Sequence, residues 1–172
     1  VGSEMCIRDS YTFLIISFSL VSAQLRVGAD AGAKYKVEGI SSDMEMGFTL
    51  GYDYLFNDNF GVGFEYQLNR EVKETDGGKL GFTSVYGVAK FPFNPQVYGV
   101  ARVGYAVSMV LDPDEGIDPS GGLMFGVGGG YNVNENIAIE AGYFLNNGTL
   151  TFLGQDFDVE VNRFHLGLAY SF

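Results

Sequence analysis

The only histidine of the chain, His165, is the first residue to test for chemistry, because a neutral imidazole can act as a general base. A general base must lie within hydrogen-bond reach of the nucleophile that it activates. On an extended strand the next residue of the same face is Gly167, and the hydroxyl of Ser171 lies roughly 20 Å away at the rise of a strand. The sequence therefore predicts no catalytic residue and no enzyme.

Charged residues occupy alternate positions between apolar ones in several segments. Glu65 lies between Phe64 and Tyr66, for example. Because successive side chains of a strand point to opposite faces, the charges share one face and the rings the other. Buried charges require partners, so we expect a structural cluster of paired acids and bases on the inner face, although a proton or ion path remains the alternative. The predicted cluster is Glu65, Arg102, Glu140, Arg163 and His165, with Arg26, Asp30, Lys34, Glu45 and Asp53 nearer the strand ends.

The alternation predicts eight antiparallel strands with connections of two lengths. The connections after strands one, three, five and seven are about 8 to 13 residues long, and those after strands two, four and six about 3 to 5. This alternation of long and short connections is typical of an up-and-down transmembrane β-barrel with apolar side chains facing lipid. The sequence does not decide which face of strand four points inward, because both of its faces carry aromatic residues. The predicted strands are 25–35, 44–56, 60–69, 80–91, 96–108, 121–131, 137–145 and 159–172.

The last eight residues have an apolar face that ends on a bare terminal Phe172. They resemble the C-terminal signal strand of bacterial outer-membrane barrels, with a polar residue, a glycine and two aromatics in register at His165, Gly167, Tyr170 and Phe172. The whole predicted barrel, residues 24–172, resembles the small eight-stranded barrels of the OmpA/OmpX type, the outer membrane protein β-barrel family. The resemblance implies location in the bacterial outer membrane, contact with its lipid, and recognition of the C-terminal strand by the barrel-assembly machinery.

Residues 1–23 are predicted to be a secretory signal peptide. The apolar run 11–21 is followed by Val21-Ser22-Ala23, which offers small residues for signal-peptidase cleavage before Gln24. Residues 1–10 resemble a truncated or mis-assembled start, and we leave them out of the predicted fold. The chain has 21 acidic and 10 basic residues, a balance that argues against a nucleic-acid partner. Cys6 precedes the predicted cleavage point, so no disulfide, cysteine-based metal site or cofactor is expected.

These observations favour a non-enzymatic outer-membrane barrel with a polar plug in its lumen. Its role would be structural or adhesive, through four surface loops whose ligand the sequence does not identify. Three alternatives stay open: a soluble lipocalin-like barrel with an apolar ligand, an outer-membrane lipid-modifying enzyme, and a small pore.

Overall fold

The computed structural model describes residues 22–73, 78–112 and 117–172. Residues 1–21, which hold Cys6 and most of the predicted signal peptide, lie outside this range, so that prediction stays untested. No helix in the described part of the chain has the length and hydropathy needed to span a membrane. The strands are β1 (Ser22–Val37), β2 (Ile40–Asp43), β3 (Gly47–Leu55), β4 (Phe60–Gln67), β5 (Arg70–Glu71), β6 (Lys79–Pro92), β7 (Val97–Asp112), β8 (Ile117–Asn132), β9 (Ile137–Phe152) and β10 (Gln155–Ser171).

Eight of these strands form a closed antiparallel ring. Neighbours in the chain pair in the order β1, β3, β4, β6, β7, β8, β9 and β10, and β10 then pairs with β1. The short strands β2 and β5 extend the wall at one end, where they pair with β1 and β6. Closure removes every sheet edge along the ring, which a wall surrounded by hydrocarbon requires. The prediction of an eight-stranded up-and-down barrel is confirmed.

The wall is apolar outside and charged inside. Phe48, Phe64 and Phe164 are 60%, 44% and 62% exposed on the outer surface, whereas Glu65 and Glu140 are buried inside the ring. Hydrocarbon accepts rings and excludes charges, so this arrangement suits a barrel in lipid. It is the opposite of a soluble carrier, which would place its rings inward around an apolar ligand.

The three short connections lie at one end of the barrel, which we call the inner end, and the long ones at the outer end. The long connections were predicted as loops, and this was wrong for most of the residues that the structure describes there, although Lys73 and Gly78 lie outside the strands. Segment 146–158 belongs to β9 and β10, which meet at a two-residue turn, and β1 and β2 meet at another. Both turns place two residues in the left-handed region, Glu38-Gly39 and Leu153-Gly154, and such turns match the twist of a hairpin.

The predicted acidic loop 109–120 is likewise mostly strand, since β7 reaches Asp112 and β8 begins at Ile117. Residues 113–116 lie outside the described part of the chain. Above the lipid both faces of a strand meet polar surroundings or a small core. The clean two-residue alternation is therefore lost there, and the sequence reads as a loop.

A bulge changes the phase of β1. The pairing of β1 with β10 shifts between Ala31 and Lys34, around Gly32 at φ 58°. As a result Ala33 is buried inside the barrel and Lys34 is exposed, the reverse of the predicted assignment. In β6, whose phase the sequence left open, the inner face carries Phe82, Tyr86 and Val88.

Candidate functional site

All five residues of the predicted lumen cluster are buried inside the barrel. Glu65 and Arg163 are fully buried, and Arg102, Glu140 and His165 are 2%, 3% and 4% exposed. They lie on β4, β7, β9 and β10, and each occupies the face opposite the lipid-facing rings of its own strand. The closed ring brings these four strands around one lumen, where each charge meets partners from distant parts of the sequence.

Arg102 lies at the centre of the first group of contacts. Its Nη2 donates to Asp53 Oδ2 at 2.9 Å and to Glu140 Oε2 at 2.8 Å, which joins β3, β7 and β9 across the lumen. Tyr86 Oη donates to Asp53 at 2.7 Å, and Tyr98 Oη donates to Glu140 at 2.7 Å. Each carboxylate therefore has both a guanidinium and a phenol as partners, as buried ions require.

Asp30 lies at the centre of the second group. It lies 2.7 Å from Arg70 Nη2, 3.2 Å from Arg163 Nε and 2.7 Å from His165 Nδ1, and it accepts a hydrogen bond from Thr49 Oγ1 at 2.5 Å. Four side chains from three strands, β3, β5 and β10, thus converge on one carboxylate.

Two arginines connect the two groups. Arg163 pairs with Glu65, and Arg26 Nη2 lies 3.5 Å from the other oxygen of the same carboxylate. Arg26 Nε also lies 3.1 Å from Asp53 Oδ2, so an unbroken chain of ion pairs runs from Asp30 to Asp53. The described charged residues of the interior form one network rather than isolated pairs.

Glycines on the inner face provide the space for these side chains. A Cβ on Gly51 would lie 2.5 Å from Arg26 Nη2, and one on Gly47 would lie 2.6 Å from Arg70 Cζ. A Cβ on Gly28 would lie 2.4 Å from the His165 ring. These separations are shorter than any non-bonded carbon contact, so the guanidinium and imidazole groups occupy volume that an alanine methyl would fill.

Some members of the network were missed in the sequence. Arg70 and Asn146 were assigned to loops, yet both are buried, and Asn146 contacts Arg163. The spacing of Asn146 could have predicted its position. It lies two residues after Phe144 and six after Glu140, so on an extended strand all three side chains point into the barrel. Lys34 and Glu45, which were expected to point inward near the strand ends, are exposed instead.

The His165–Asp30 pair resembles half of a catalytic triad, but no described hydroxyl completes it. Thr49 Oγ1 donates to Asp30 and not to the imidazole. Ser171 lies at the inner end, where its Oγ accepts a hydrogen bond from Gln24 Nε2 at 3.2 Å. A nucleophile must hydrogen-bond to the base that activates it, so among the described residues this pair has the geometry of a structural hydrogen bond.

The C-terminal residues of the predicted assembly signal divide between the two faces of β10. His165 and Gly167 are buried, whereas Tyr170 and Phe172 are exposed and their rings meet edge to face at 5.1 Å. The backbone N–H of Phe172 donates to the carbonyl of Ala23, so the last residue joins the seam between β10 and β1. Recognition by the assembly machinery stays a prediction.

Comparison with known proteins identifies this architecture. A family model described as "Outer membrane protein beta-barrel domain" matches residues 14–172, nearly the whole chain. The chain belongs to this family. It is therefore an integral protein of the bacterial outer membrane, and the resemblance seen in the sequence is confirmed. A comparison with curated protein sequences found no match.

Solved structures similar to this family member are small outer-membrane barrels. Ail, the attachment invasion locus protein of Yersinia pestis, is 24% identical with a TM-score of 0.54, over 88% of this chain and 98% of Ail. Neisserial surface protein A (NspA) is 15% identical with a TM-score of 0.67, over 88% and 97%. OprG from Pseudomonas aeruginosa is 16% identical with a TM-score of 0.50, over 88% and 95%. At these identities the likeness establishes the fold alone.

Proposed function

We propose that this protein is a sealed, non-enzymatic barrel that carries a structural or adhesive surface at the outer face of the outer membrane. The ion-paired interior is the observation that supports this proposal most strongly. Arg26, Arg102 and Arg163 are the largest fully buried side chains, and each points into the lumen at the level of the lipid-facing rings. A lumen of eight strands is just wide enough for side chains to fill, so three guanidinium groups and their carboxylates act as a plug.

An apolar layer provides a second barrier toward the outer end. Leu80, Phe82, Met109 and Val161 pack there with smaller side chains inside the strands that extend above the lipid-facing rings. An ion that moved along the lumen would have to leave water and cross both this layer and the ion-paired network. Neither layer offers a hydrated path, which supports a closed barrel over the small pore.

The absence of a nucleophile beside His165 in the described residues supports a non-enzymatic role over the lipid-modifying enzyme. The imidazole is buried and paired with Asp30, whereas an enzyme acting on lipid needs a base that its substrate can approach. We propose that His165 is a structural partner of Asp30.

The described part of the outer end is acidic. Its strand ends and turns, residues 34–45, 71–73, 78–79, 112, 117–118 and 156–160, contain 9 acidic and 4 basic residues. Of the four lysines, Lys36 pairs with Glu160 at 2.9 Å and Lys79 with Glu71 at 3.7 Å. An acidic surface attracts cationic partners and repels polyanions within a Debye length of about 8 Å at physiological salt.

This charge sets the expected class of adhesive partner. Ail has been crystallised in complex with the heparin analogue sucrose octasulfate, a polyanion. The present chain shares the fold at 22% identity with that structure, but its outer end is acidic and would repel a polyanion. We propose that its outer surface binds basic protein surfaces and not sulfated glycans.

Binding measurements on the protein in lipid nanodiscs test this proposal. Immobilised protein should retain polylysine at low salt, release it as salt rises, and ignore heparin. The double variant Asp156→Asn/Asp158→Asn removes two exposed carboxylates at the outer end of the barrel. Its control, Asp58→Asn/Glu135→Gln, removes two exposed carboxylates at the inner end. Only the outer variant should weaken polylysine binding, by about threefold for the loss of two screened charges. Heparin binding, or equal weakening by both variants, would contradict the proposal.

A further inference from the structure

The inner end of the barrel contains a cavity of about 760 Å³ that is open to solvent. Its walls come from the short turns between β3 and β4, β6 and β7, and β8 and β9, and from the chain around Gln24 and Ser171. Lys90 and Tyr98 line the same cavity. The lining is rich in amides and hydroxyls, and the ion-pair network does not fill this space.

Three turn asparagines line the cavity in one repeated geometry. Asn57 Oδ1 accepts from the backbone N–H groups of Asn59 and Phe60, at 2.9 and 2.8 Å. Asn94 and Asn134 accept from the corresponding two N–H groups of their own turns, also at 2.9 and 2.8 Å.

Because the oxygen of each amide is used within its turn, only the NH₂ group is left for other partners. These three NH₂ groups donate no hydrogen bond to any described residue. Three amides with unused N–H donors therefore line one cavity.

A buried cation lies in the same wall. The Lys90 side chain is 10% exposed, and its Nζ donates to Gln24 Oε1 at 2.6 Å, leaving further N–H donors. Its closest carboxylate, Glu140, lies 3.8 Å away and already accepts hydrogen bonds from Arg102 and Tyr98.

The described interior has one more cation than it has carboxylates, and Lys90 has the longest ion pair of the five, although it also lies 4.9 Å from the centre of the Tyr98 ring. That interior holds five buried cations, at Arg26, Arg70, Lys90, Arg102 and Arg163, and four buried carboxylates, at Asp30, Asp53, Glu65 and Glu140. A buried charge without a full partner is costly, and a bound anion would compensate it.

We propose that this cavity is a binding site for a phosphate-type oxyanion. Lys90 supplies the charge, and the amide groups of Asn57, Asn94 and Asn134 donate from three sides. Donors on several sides suit a tetrahedral anion, which accepts hydrogen bonds in several directions. Asp58 and Glu135 also line the cavity, but both are exposed in the turns and solvated, so they weaken anion binding at the rim without neutralising Lys90 at its base.

The phosphate could come from a solute of the periplasm or from a phospholipid headgroup of the inner leaflet. Both sources present the same chemistry to the same donors. The experiment therefore has two arms, one with inorganic phosphate and zwitterionic lipid, and one with anionic phospholipid and no added phosphate.

Side-chain amide signals in ¹⁵N NMR spectra of the protein in nanodiscs report the site directly. Inorganic phosphate should shift the NH₂ signals of Asn57, Asn94 and Asn134 with one common, saturable curve in the millimolar range. Lys90→Met removes the charge and keeps the aliphatic stem, so it should weaken binding by about tenfold or more. Lys36→Met, at the exposed outer end, is the matched control and should leave the curve unchanged.

Asn134→Asp provides a second test that does not depend on the stability of the Lys90 variant. The aspartate still accepts from the turn N–H groups, but it replaces a donor with a repelling oxygen, so phosphate binding should weaken while the turn persists. Shifts that arise with anionic lipid alone would assign the headgroup as the source and also support the site. The proposal would be overturned if the NH₂ signals responded in neither arm. It would also be overturned if they gave the same binding curve in Lys90→Met as in the wild-type protein.

Discussion

Replacing Arg102 by Met removes the guanidinium at the centre of the ion network and keeps a similar volume. In the native barrel this group donates to Asp53 at 2.9 Å and to Glu140 at 2.8 Å, and both carboxylates are buried. Removal of one partner from a buried ion pair typically costs about 3–5 kcal/mol, because the remaining charge is left uncompensated. Asp53 keeps Arg26 and Glu140 keeps Tyr98, so we expect about 3 kcal/mol, the lower end of this range.

A second change identifies the origin of that loss. Glu140→Gln neutralises one of the two carboxylates that lose their guanidinium partner, so adding it to Arg102→Met should restore about 1 kcal/mol rather than cost more. The control is Lys36→Met, which breaks a surface pair with Glu160 and should cost less than about 1 kcal/mol.

Urea unfolding in lipid vesicles, followed by the gel mobility of unboiled samples, gives the free energy of unfolding for each variant. If Arg102→Met unfolded within about 0.5 kcal/mol of the wild type, or the double variant were less stable than the single one, the ion network would not stabilise the barrel as argued.

Three further predictions follow from particular residues. Gly51→Ala should destabilise the barrel by about 1–3 kcal/mol, because the new methyl would overlap the guanidinium of Arg26, whereas Gly87→Ala, where the nearest atom is 3.8 Å away, should change the urea midpoint little. Phe172→Ser should lower the fraction of heat-modifiable protein recovered in the outer membrane, because it removes the exposed terminal ring; full recovery would argue against a role of Phe172 in assembly. Leu153→Asn should raise the free energy of unfolding by about 0.5–1 kcal/mol, since Leu153 adopts φ 50° and asparagine tolerates that region better; an unchanged midpoint would show that the turn is not strained.

The membrane-embedded part of the barrel could be predicted from sequence because lipid on one side and a crowded lumen on the other impose a strict alternation. Phe64 and Glu65 are neighbours in the chain, yet one faces hydrocarbon and the other the ion network. That contrast identifies the faces, the number of strands and the inward charges without knowledge of the register.

The partners of those charges could not be predicted in the same way. Arg102 on β7 reaches Asp53 on β3 because the ring closes, and no linear pattern records that distance. The bulge at Gly32 reverses the faces of Ala33 and Lys34, and the sequence contains no signal stronger than a glycine for it. Above the lipid, water surrounds the strands, so the alternation fades and the hairpin at Leu153 was read as a loop.

Single-channel recording in planar bilayers tests most directly whether the lumen is sealed. The wild-type protein should insert with no steady conductance in 1 M KCl, because the charged network and the apolar layer above it leave no hydrated path. Stable, voltage-independent current steps from the wild-type barrel would show that ions pass through the lumen, and they would contradict the central claim that its buried charges close it.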